Sequence, residues 1–183
     1  MALAGETVVM EARPVSEDII TTPFVSYDEA SRASEGFPGW TYHGATACFV
    51  CGPDRIDATG LRIFPGPVGD SLVAATWTPS SELAGPDGTI PQPILWGVLD
   101  CPGAWAAAAY DPEGMPYFPT LGTMEAVIVE PVVPGEPLVV VGRHRHTERR
   151  KLSTDVALYT RDGVLKGRSD HIEIKLFEYD ETA

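Results

Sequence analysis

Asp100 is the only charged residue between Gln92 and Tyr110, in a stretch otherwise dominated by apolar side chains. A carboxylate in such surroundings is costly unless it is hydrogen-bonded or functional. Burial raises its pKa toward a range useful for a general base, so it could activate water, or attack a carbonyl directly as a nucleophile. The structural alternative is that Asp100 caps a second helical segment in which Pro102 stands early. Upstream, Gln92 and the backbone amides of Ile94 and Leu95 are candidate donors to a carbonyl oxygen. A helix start presents oriented N–H groups and the positive end of its dipole. An ordinary helix start is the plainer reading of Gln92. Trp96 is a candidate wall of the same site or, like Trp105, a core residue.

Two other groups carry chemistry-bearing types. Cys48 and Cys51 have the spacing of half a zinc site or of a redox pair, but a closed zinc site takes four ligands. Cys101 and His43 could complete one only through the tertiary fold. No strand-helix context follows Cys51 to favour a redox motif. Buried small thiols, with no metal, are the expectation. Arg143 and Arg145 alternate with His144 and His146, and Arg149 and Arg150 follow. On a regular strand the histidines share the face of Leu138 and Val140, and the arginines the opposite one. Any of the four arginines could grip a phosphate through bidentate hydrogen bonds. Pairing across the sheet with Glu125, Glu130 or Glu136 is the structural reading of the same charges. The histidines are expected to be partly buried and hydrogen-bonded.

The elements that must position these residues follow from pattern. The chain has 183 residues, 44% of them apolar, enough for one domain with a core of its own. Glycine and proline are frequent, which implies many turns and short elements rather than a helical bundle. No apolar run is long enough to span a membrane. Met1 to Arg13 does not read as a secretory signal. Three cysteines and no export signal suggest reduced thiols and a cytoplasmic location. The net charge of −13 disfavours nucleic acid as a partner. Arg143 to Arg168, with eight basic residues against Glu148, Asp155 and Asp162, is a local exception able to hold one phosphorylated ligand. Solvated strand faces are the plainer account of it.

Residues 1–45 read as an extension packed on a main domain of residues 46–183. Ser26 and Glu29 have capping-box spacing, which predicts a short helix over Asp28 to Glu35, stopped by Gly36, Pro38 and Gly39. Leu61 to Phe64 and Ser71 to Thr78 read as a hairpin. Ile94 to Tyr110 is apolar nearly all round and rich in alanine, as befits a buried helix that Pro102-Gly103 should kink or split. Four strands follow: Thr123 to Glu130, Leu138 to His146, Lys151 to Thr160 and Val164 to Phe177. Asp162-Gly163 turns the last pair. Ile172, Ile174 and Leu176 share one face of the final strand. A lone helix apolar on most sides needs a sheet curved about it, because a flat sheet would leave half of it wet.

Several segments together resemble the phenylacetyl-CoA-type thioesterases of the hotdog superfamily. They are Cys48-Phe49-Val50-Cys51-Gly52 with Gly60-Leu61, Trp96-Gly97-Val98-Leu99-Asp100, Glu130-Pro131-Val132-Val133-Pro134-Gly135-Glu136, Arg149-Arg150-Lys151-Leu152 and Thr160-Arg161-Asp162-Gly163-Val164-Leu165. The resemblance runs from about Cys48 to Phe177. It implies an α+β hotdog fold, a curved antiparallel sheet wrapped around one central apolar helix, with the N-terminal extension added. It also implies an acyl thioester as small-molecule substrate, coenzyme A or carrier-protein pantetheine as the thiol part, and no separate cofactor. Asp100 stands where the family's catalytic carboxylate is expected. Sites would lie at the interface of a homodimer whose sheets join edge to edge, or of a tetramer built from it. The family's His-Gly-Gly near the helix start is replaced here by Ile90-Pro91-Gln92-Pro93, and prolines offer no N–H. Besides a zinc-stabilised interaction module, the weakest idea, two alternatives to hydrolysis stay open. One is a non-catalytic acyl or apolar-ligand binding protein on the same fold. The other is a hydratase or isomerase acting on a thioester or polyketide chain, using Asp100 with His144 or His146.

Overall fold

The computed structural model describes residues 2–5, 7–11, 13–14, 20–55, 60–112 and 118–176. Phe177, expected at the end of the last strand, lies outside these. The regular elements run β1 (Ala2–Ala4), β2 (Thr7–Met10), α1 (Tyr27–Glu35), β3 (Gly66–Gly69), β4 (Leu72–Trp77), α2 (Gln92–Tyr110), β5 (Thr120–Ile128), β6 (Leu138–Glu148), β7 (Lys151–Thr160) and β8 (Leu165–Ile174). β1 and β2 pair with each other. The remaining six strands form one antiparallel sheet in the order β3-β4-β6-β7-β8-β5.

Helix α2 touches every strand of that sheet. Six strands side by side span about 24 Å, more than twice the width of a helix, so all of them reach α2 only by curving round it. This is the architecture expected of the alanine-rich segment. Its Leu95, Val98, Leu99, Trp105 and Ala106 meet Val73, Ala75, Leu138, Val140, Val156 and Leu158 in one core.

The helix does not split at Pro102-Gly103. It runs unbroken through both residues, which also removes the reading of Asp100 as the cap of a second segment. The pair is placed for close approach instead. A side chain at Gly142 of β6 would run into the Pro102 carbonyl, and one at Gly103 would collide with His171 and meet the Thr154 hydroxyl at 2.9 Å.

Ser26 caps α1 as its spacing suggests, accepting a hydrogen bond from the Glu29 amide. This helix lies on the outer face of the sheet, where Val25 and Ala30 pack with Ala74, Val139, Val141, Ala157 and Tyr159. Phe37 is buried in the main core, whereas Trp40 and Tyr42 stay about half exposed.

The first hairpin differs from expectation. Leu61 to Phe64 is not a strand. The amides of Leu61 and Ile63 donate instead to Phe49 and Val50 carbonyls, and the strand is Gly66–Gly69. Asp70 and Ser71 both take positive φ, +49° and +65°, the backbone of a turn that favours glycine. Ser71→Gly is therefore expected to stabilise the protein by about 0.5–1 kcal/mol. A urea midpoint at or below that of the wild type would show that the turn holds no such strain.

Candidate functional site

Asp100 sits near the middle of α2, half-buried. Its carboxyl is pushed up to about 6 by burial first and by the Glu173 carboxylate second, with His171 opposing. Most of the helix that carries it is enclosed; Pro93 and Ala109 are exposed near its two ends, and one face is open as well. Gln92, Trp96 and Asp100 are spaced four residues apart and so share a face. Gln92 is exposed and Trp96 is 42% exposed. At the start of this face lies an open groove of about 570 Å³. Gln92, Leu95, Ile90, Ile128 and Val129 are among its walls.

Behind Asp100 the sheet presents an unexpected surface. Ile172 and Ile174 share one face of β8, as their alternation suggests. They are only partly buried, and the opposite row is the enclosed one: Ser169, His171 and Glu173 of β8, with Lys175 just beyond it, are all nearly inaccessible. His171 Nε2 lies 2.8 Å from Ser169 Oγ, and its Nδ1 3.2 Å from Glu173 Oε1. Glu173 Oε2 has no partner. Gly103, lacking a side chain, leaves room for the imidazole beneath the helix. His171, which the residue pattern alone does not single out, is thus the histidine whose charge bears on Asp100. His144, whose imidazole is held below its ordinary pKa by burial, bonds to Thr147, and His146 to Ser153.

The other candidates separate. The amides of Ile94 and Leu95 both donate to the Pro91 carbonyl, so those two groups are engaged within the helix start. Arg143 binds Asp155 with both Nε and Nη2 at 3.1 Å. Arg145 reaches Asp155 at 3.2 Å and also pairs with Asp170. Cross-sheet pairing is therefore what these two arginines do, with aspartates in place of the expected glutamates. Glu130 and Glu136 instead meet Lys166. Arg149 and Arg150 form the β6–β7 turn, where Arg150 donates to the Lys175 carbonyl and Lys175 pairs with Asp111, the C-cap of α2. That end of the helix is about 28 Å from Gln92. The structure puts Gln92, Trp96 and Asp100 on one helix face, with the buried Leu95 in the groove wall beside Gln92, and places Arg149 and Arg150 toward the other end of the helix.

No protein-family profile and no curated protein matches this sequence. Solved structures do match in fold. A thioesterase superfamily protein aligns with a TM-score of 0.61 at 19% identity, over 87% of this chain and 70% of its own. A Ralstonia eutropha protein described as a putative thioesterase related to phenylacetic acid degradation aligns at 0.59 and 16% identity, over 79% of this chain and 100% of its own. A Streptococcus mutans protein bound to acetyl CoA aligns at 0.52 and 11% identity, over 60% of this chain and 85% of its own. The chain has the hotdog fold, an α+β sheet curved around one helix. Among the described residues no helix is long and apolar enough to cross a membrane.

Proposed function

We propose that this protein hydrolyses an acyl thioester of coenzyme A or of a carrier-protein pantetheine, with Asp100 as the reacting carboxylate. One observation carries the reading. Gln92 and Trp96 are exposed on the face of the helix that also carries its only carboxylate, Asp100, with a buried row of polar groups behind it. Thioesterase-superfamily proteins and an acetyl-CoA complex among the structural neighbours support it.

In this reading the acyl chain lies along the apolar wall of Leu95, Trp96 and Ile128, with the thioester carbonyl beside Asp100. The carboxylate takes a proton from water as that water attacks, or attacks the carbonyl itself and is then hydrolysed free. The thiol leaves with a proton. Gln92 is the carbonyl donor that the helix start still offers. A homodimer joined along β5, a nine-residue edge strand of the sheet among the described residues, would complete the site.

The engagement of the Ile94 and Leu95 amides favours a second reading, a protein that binds acyl or apolar ligands without cleaving them. The proximity of His171 to Asp100 favours a third, a hydratase or isomerase. Incubation with a panel of acyl-CoAs, following free thiol, tests the proposal. Thiol release with at least one chain length is expected. Binding without release would replace hydrolysis by the second reading, and water addition to an enoyl thioester by the third.

A further inference from the structure

Cys48 and Cys51, neighbours in sequence, meet the distant Cys101 at one place in the fold. Cys48 Sγ lies 3.7 Å from Cys101 Sγ, and the sulfurs of Cys48, Cys51 and Cys101 all lie within 4.8 Å of one another. Three thiolates each about 2.3 Å from one tetrahedral zinc would stand about 3.8 Å apart. Cys51 and Cys101 are buried and Cys48 is half-buried, so the place is enclosed with one open side. Two N–H groups crowd the same sulfurs. The indole N–H of Trp105 is buried without a hydrogen-bond partner at ordinary distance, yet it stands close enough to act as a donor toward Cys51. His43 Nε2 is 3.4 Å from Cys51 Sγ. The Ala45 amide donates to His43 Nδ1 at 3.0 Å, which leaves the ring proton on Nε2, pointing at the Cys51 sulfur and carbonyl.

The surrounding chain gives such a site a purpose. From residue 41 to residue 65 the described residues hold no helix or strand, and a stretch of that length without regular structure is uncommon in a compact domain. It is bound to α2 where Cys48 and Cys51 meet Cys101, next to Asp100.

We infer that Cys48, Cys51 and Cys101 bind one zinc ion as thiolates, tying the 41–65 segment to α2. Soft sulfur ligands at tetrahedral separations select zinc over magnesium or calcium. The thiols lose their protons on binding, and the excess negative charge of three thiolates on one dication is offset by the N–H groups of His43 and Trp105. The fourth position falls to a solvent oxygen. This inference is independent of the hydrolase reading, because its readout is metal content.

The test uses the full chain, purified without chelators from zinc-supplemented cells. About one zinc per chain is expected by elemental analysis, and Cys48→Ser and Cys101→Ser should each lose most of it. Replacement by cobalt(II) should give thiolate charge-transfer and tetrahedral ligand-field absorption in the wild type, a readout that stands even where a cysteine variant fails to fold. Strongly substoichiometric zinc together with a cobalt spectrum lacking thiolate bands would overturn the inference. So would a Cys48–Cys101 disulfide in protein alkylated without reduction.

Discussion

Asp100→Asn should cut thioester turnover by about 10²–10⁴-fold while leaving the protein folded. The substitution keeps the shape of the side chain and removes its ability to take a proton or attack. Its effect on stability should be small and in the opposite sense to a lost core contact. The carboxylate is disfavoured by burial and by the Glu173 charge beside it, and an amide is free of both penalties. The expected signature is thus a melting temperature equal to or above that of the wild type, an unchanged far-ultraviolet circular dichroism spectrum, and near-complete loss of thiol release. Retention of acyl-CoA binding would place the loss in the chemical step. Turnover within a few-fold of the wild type would remove Asp100 from the mechanism. The stripe of Gln92 and Trp96 would then be only a binding wall.

Residue pattern reveals some of this molecule and conceals the rest, for identifiable reasons. The central helix is legible because seventeen consecutive residues from Ile94 to Tyr110 are too long and too uniformly apolar for a strand. The β7–β8 turn is legible because Asp162-Gly163 names its own geometry, and Gly163 indeed has φ of +88°. The orientation of β8 is not legible. A period of two says that two faces differ, but not which of them meets the helix. Here the polar row is inside, since Gly103 opens space for His171 under α2, while Ile172 and Ile174 point the other way. The partners of Arg143 and Arg145 are hidden for a related reason. Asp155 stands directly opposite Arg143, and a register shift between His144 and His146 brings Arg145 to the same carboxylate, which no spacing within β6 discloses. The cysteine cluster joins positions about fifty residues apart in sequence, and only the closing of the 41–65 segment over the helix brings them together.

The second large effect concerns stability. Asp155 is fully buried and stands at the centre of a network: Arg143 and Arg145 pair with it from β6, and Thr22 donates to its Oδ2 at 2.6 Å. Thr22 is itself fully buried, and its carbonyl accepts a hydrogen bond from the Tyr159 hydroxyl. Removing a partner from a buried ion pair leaves charge without compensation, which costs more than the intact pair contributes. Asp155→Ala should therefore destabilise the protein by about 3–5 kcal/mol, measured by urea unfolding. Thr22→Val, which deletes one hydrogen bond to a charged acceptor, should cost about 1.5–3 kcal/mol. The double variant should fall short of the sum of the two, because the Thr22 hydroxyl has little left to stabilise once the carboxylate is gone. That shortfall is the measure of how firmly residues around Thr22 are joined to the sheet. Strict additivity would mean that the segment before α1 rests on the sheet without being held by Asp155. A loss below about 1 kcal/mol for Asp155→Ala would mean that water replaces the carboxylate at the two arginines, and that the outer face of β6 and β7 is more open than its packing indicates.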